Sequence, residues 1–180
     1  VRAVLIAGAL AGMAVLAGCG PERAVPEENA AAITWSEHVC AAVRDGGAKL
    51  SQLPGVDASD AGKAREGLVT YLASLSQALT DLGHGITREG PPPVTDGQAT
   101  VDRAMDTLNA TKSSVDAARA ALESAPITDQ ASFEQAVRGA GDAFAHLGTA
   151  TEGPTKDLTN NPELAKAFEK APTCQALDGA

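Results

Sequence analysis

Leucines at positions 68, 72, 75, 79 and 82 recur at alternating spacings of four and three. An α-helix, with 3.6 residues per turn, places such a series on one face, whereas a strand would scatter it over both. A helix with an apolar stripe of this length has to bury it, so the chain must supply other helices to cover it.

The rest of the chain carries matching signals. Thr34 and Glu37 have the spacing of a capping box opening a first helix, and Trp35, Val39, Val43, Gly46, Leu50 and Leu53 follow on one stripe until Pro54. The leucine helix is expected to begin near Ser59 and to stop at Gly83 and Gly85. The stretch from Gly83 to Asp96, with Pro91, Pro92 and Pro93 in a row, reads as the longest loop. Thr95 and Gln98 repeat the capping-box spacing before a third helix, which presents Val101, Met105, Leu108, Val115, Ala118 and Leu122 and ends before Pro126. A fourth helix, from about Asp129 to Thr151, carries Phe133, Val137, Ala140, Phe144 and Leu147, and Gly153-Pro154 is expected to close it. Asn161 and Pro162 are the residue types favoured at an N-cap and first helical position, opening a short fifth helix with Leu164 and Phe168 that Pro172 stops. No β-branched run of period two competes. The expected fold class is therefore all-α: an antiparallel four-helix bundle with a short fifth C-terminal helix, spanning residues 33–177.

Aromatic residues make up 3 % of the chain, so alanine and leucine must build the core. The formal charge of -9 sets the body against phosphate backbones and anionic headgroups, which excludes nucleic acid as an expected partner and excludes an electrostatic membrane patch.

Ahead of the helical region lies a segment of another kind. Arg2 precedes an almost wholly apolar run from Ala3 to Gly18. As a helix that run covers about 24 Å, short of the roughly 30 Å hydrocarbon core, so it reads as an export signal over residues 1–18 rather than a permanent span. It ends Leu16-Ala17-Gly18-Cys19. These four residues resemble the lipobox of bacterial lipoproteins: an aliphatic residue, two small residues, then the cysteine that is modified. The resemblance implies diacylglycerol on the Cys19 sulfur, cleavage before it, and a mature chain held on the extracytoplasmic face of the cell membrane through N-terminal lipid. Two acyl chains anchor stably where one is marginal, since each buried CH₂ contributes about 0.8 kcal/mol. Residues 19–32 then read as lipidated N-terminus and flexible tether, the stretch with Pro21 and Pro26 reaching about 17 Å. The alanine-rich, lysine-poor body behind the lipobox also looks like the small lipoproteins and secreted proteins of actinobacterial cell envelopes.

Three cysteines are an odd number for an exported chain. With Cys19 spent on lipid, Cys40 and Cys174 remain as a pair in an oxidising compartment, and a disulfide between them is expected. It would strap the C-terminal segment onto the first helix.

Chemistry-bearing constellations are sparse. Asp142 and His146 lie four apart, and Asp81 and His84 three apart, spacings at which a carboxylate and an imidazole can share a metal. Neither a Glu-x-x-His nor a His-Glu-x-x-His motif occurs, so these pairs and His38 are read as structural or surface residues, with no metal or other cofactor expected. No Gly-x-Ser-x-Gly and no phosphate-cradling glycine motif is present, and Asp102, Asp106 and Asp116 read as solvated helix faces, so no enzyme is expected. Trp35 lies in phase with the first apolar stripe and reads as core rather than as an interface anchor. The expectation is a monomeric binding or interaction module of the cell envelope, presenting helix faces or the Gly83–Asp96 loop to an envelope protein. The alternative is a carrier of a small apolar ligand or metal within the bundle.

Overall fold

A computed structural model describes residues 27–178 apart from 54, 58 and 146–152; the side chains of 27–29 and 178 are not described. Every regular element among the described residues is a helix: α1 (Glu27–Ser51), α2 (Ala61–Glu89), α3 (Gly97–Ser124), α4 (Gln130–Ala145), α5 (Gly153–Thr159), α6 (Pro162–Lys170) and α7 (Pro172–Asp178). The expected all-α helical bundle with short C-terminal helices is what forms. The chain ends in three short helices rather than one.

Helices α1, α2 and α3 pack in sequence order, and α4 lies mainly against α3 without touching α1. The short helices cover the other side, α5 on α3 and both α6 and α7 on α1. Two cores result. One gathers Trp35, Val39, Ile86, Val101, Leu158, Leu164 and Phe168 beneath the short helices. The other, smaller, joins Ala118, Leu122 and Ala140 where α3 meets α4, with Leu68 and Leu72 of the leucine stripe against it.

Several helix ends differ from expectation, each for a physical reason. Helix α1 starts at Glu27, not at Thr34, and takes in part of the expected tether. Alanines 30–32 favour helix strongly, and Ala32 is buried in the fold. Inside the helix, the Thr34 hydroxyl donates to the Ala30 carbonyl at 3.0 Å instead of capping.

Helix α2 is capped by Asp60, whose carboxylate accepts the Lys63 N–H at 2.9 Å, and it runs straight through Gly83 and Gly85. Both glycines are buried. A Cβ on Gly83 would come within 3.2 Å of Leu108 on α3, and one on Gly85 within 3.7 Å of Ala42 on α1. Close packing on two neighbours outweighs the roughly 1 kcal/mol that glycine costs inside a helix. The helix ends instead at Gly90, which sits at φ 71°, in the left-handed half of backbone space that glycine tolerates.

The loop is therefore shorter than Gly83–Asp96 and is tied down. Asn161 donates from its side-chain amide to the Thr95 carbonyl at 2.7 Å, while the Thr95 N–H donates to the Glu163 carboxylate. Thr95 and Gln98 form no capping box: Asp96, at φ 55°, precedes α3 and its side chain makes no cap bond, and Gln98 bonds to Asp102.

Gly153-Pro154 opens α5, while the expected end of the fourth helix, with Leu147 and Thr151, lies outside the described residues. Pro172 follows the end of α6, as expected, and also opens a further helix, α7. Proline fits the first turn of a helix because the N–H it lacks would have no partner there. Asn161 and Pro162 behave as read from the sequence, with the Asn161 side chain accepting the N–H groups of Glu163 and Leu164.

Candidate functional site

The lipobox, Leu16, Ala17, Gly18 and Cys19, lies outside the described residues, as does His146. No described helix is long and apolar enough to cross a membrane.

The other two cysteines meet. Cys40 on α1 and Cys174 on α7 have their Cα atoms 5.2 Å apart and their sulfurs joined. Both are buried. A second link lies one turn earlier on α1. Glu37 accepts the Thr173 N–H at 3.0 Å and also its hydroxyl, and these two bonds hold the Glu37 carboxyl below the usual glutamate range. Thr173 sits in the first turn of α7, where backbone N–H groups have no helical partner, so Glu37 caps a helix that lies far away in sequence.

Trp35 is 5 % exposed, and its indole N–H donates to the Gly90 carbonyl at 2.9 Å. The sole tryptophan thus fastens α1 to the C-terminal end of α2 and is a core residue, as its phase on the stripe implies.

Two grooves flank α1. The first, about 550 Å³, runs between α1 and α2 and is polar, with His38, Asp45, Lys49, Asp81, His84 and Glu89 on its walls. Arg88 lines it as well, and two polar contacts join its walls. His38 Nδ1 lies 2.7 Å from Glu89, and Lys49 lies 3.2 Å from Asp81, which also accepts from Gln77. The bonds from Gln77 and Lys49 hold the Asp81 carboxyl below the usual aspartate range. Two of the three histidines share this groove, which the linear spacing of Asp81 and His84 did not reveal. No group of three or more metal-ligating side chains forms among the described residues.

The second groove, about 390 Å³, lies between α1 and the short helices, directly beside the disulfide. Its walls are Val39 and Val43 of α1, Phe168 of α6 and Leu177 of α7, with Thr155 and Thr159 of α5 along one side and Glu169 at the rim. The size and mainly apolar lining fall in the range of sites that hold small molecules. Sequence reasoning placed Val43 in the core. It is instead 37 % exposed, because the short helices cover Val39 and leave the next turn of the stripe open to the groove.

Comparison with protein-family models, curated proteins and solved structures finds no match for this chain.

Proposed function

We propose that the chain is a lipid-anchored extracytoplasmic lipoprotein whose helical body serves as a binding module of the cell envelope. The observation that carries this reading is the pairing of Cys40 with Cys174, which leaves Cys19 as the one cysteine without a partner in the chain. A disulfide suits an oxidising compartment, and the remaining thiol stands at the end of the apolar leader, where the lipobox-like residues Leu16-Ala17-Gly18 precede it. Export, anchoring and the odd cysteine then have one cause. The test is to express the chain with a labelled fatty acid in a bacterial host: label is expected on the wild-type protein in the membrane fraction, while Cys19→Ala is unlabelled and leaves the membrane. Equal membrane retention of Cys19→Ala would remove the anchor from the account.

A second reading, a carrier of a small apolar ligand, is supported by a specific feature, the open groove lined by Val39, Val43, Phe168 and Leu177. The two readings are compatible, since an anchored body with such a groove can hold its ligand close to the bilayer. A metal carrier gains no such support.

A further inference from the structure

Beside the disulfide, the second groove combines three chemistries in fixed places. Val39, Val43, Phe168 and Leu177 provide an apolar trough, deep at Val39, 5 % exposed, and open at Val43, 37 % exposed. Thr155 and Thr159 bring hydroxyl groups along one flank. Among the described residues that line the groove, Glu169 is the one acid and none is a base. A ligand laid in this trough therefore meets hydrocarbon along its length and a carboxylate at the rim, on a chain whose formal charge is -9.

We infer that the groove binds a single-chain cationic amphiphile: an aliphatic chain seated between Val43, Phe168 and Leu177, with an amine head paired to Glu169. Charge complementarity selects the head. An alkyl ammonium stays protonated at neutral pH, as lysine does, and is attracted both by the Glu169 carboxylate and by the acidic body. A carboxylate head on the same chain meets repulsion from both, and an alcohol gains only hydrogen bonds from the threonine hydroxyls. The helix α7 wall is held by the disulfide and by Glu37, so the trough is preorganised and binding does not have to order it.

This site rests on the carrier reading and is independent of the lipid on Cys19. The test measures binding of dodecylamine, dodecanol and laurate to the purified protein by calorimetry, each below the concentration at which it aggregates or leaves solution. One equivalent of dodecylamine is expected to bind, about fivefold more tightly than dodecanol, the size of one exposed ion pair, with laurate weakest. Glu169→Gln should abolish the amine's advantage and leave dodecanol unchanged. Val43→Asn should weaken both roughly tenfold by removing apolar contact at an already open position, with circular dichroism unaltered. If none of the three probes binds, the carrier reading falls together with the site. If they bind but laurate is preferred, or Val43→Asn changes nothing, the groove assignment alone is overturned. A protein dimer that Val43→Asn dissociates would equally overturn it, by placing a second copy on the trough.

Discussion

The backbone N–H of Thr173 donates to the carboxylate of Glu37 across 136 positions of sequence, so one side chain on α1 caps the first turn of α7. The Cys40–Cys174 link lies one turn along α1 from Glu37 and one residue along α7 from Thr173, giving the C-terminal helix a polar clasp beside a covalent one.

The polar clasp depends on pH. The bonds from Thr173 lower the Glu37 pKa in the folded protein relative to its ordinary value, with the nearby charges of Arg44 and His38 acting in the same direction. A depressed carboxyl contributes stability that is present in full above the ordinary glutamate range and is lost as pH falls through the depressed folded-state value. The protection factor of the Thr173 amide, its exchange rate measured against the intrinsic rate at each pH, should therefore fall on acidification through that window in the wild type. In Glu37→Gln the protection factor of the same amide should be lower at neutral pH and change little with acid.

The covalent clasp closes a loop of 134 residues. Replacing both Cys40 and Cys174 by Ser is expected to cost about 2–5 kcal/mol of unfolding free energy, mostly through the greater freedom of the unfolded chain. Urea denaturation of the two proteins, followed by circular dichroism, measures the difference. Adding reductant should shift the wild type towards the double variant and leave that variant unmoved.

Two glycines make opposite predictions. A Cβ on Gly97 would fall 2.3 Å from the Pro92 carbonyl oxygen, which is backbone and cannot swing away, so Gly97→Ala should destabilise by about 1–3 kcal/mol. On Gly47, inside α1, the same atom meets nothing within 4 Å, and Gly47→Ala should stabilise by about 0.5–1 kcal/mol through helix propensity alone. Thermal unfolding of the two variants should move the midpoint in opposite directions.

The parts of this fold legible in the sequence are those written by periodicity. The leucine series does form α2, and Val101, Leu108, Val115, Ala118 and Leu122 do face inward along α3. The Asn161-Pro162 cap and the pairing of Cys40 with Cys174 also form as read. What failed depends on tertiary contact. Gly83 and Gly85 look like a helix stop when taken locally, but inside α2 they pack against Leu108 of α3 and Ala42 of α1. Thr34 and Glu37 have the right spacing for a cap, yet the helix already extends through Ala32, and Glu37 is recruited by a helix remote in sequence. The candidate groove was not legible, because Val43 belongs to an apolar stripe identical in pattern to a buried one. Its exposure follows only from where α5, α6 and α7 come to rest.

The most direct test of the account is the intact mass of the protein extracted from membranes of a bacterial host, taken with and without reductant and a thiol-alkylating reagent. The account predicts a chain that starts at Cys19 and carries the added mass of diacylglycerol, with no alkylated thiol before reduction and two after it. A chain that retains residues 1–18, an unacylated Cys19, or thiols that react without reductant would contradict it.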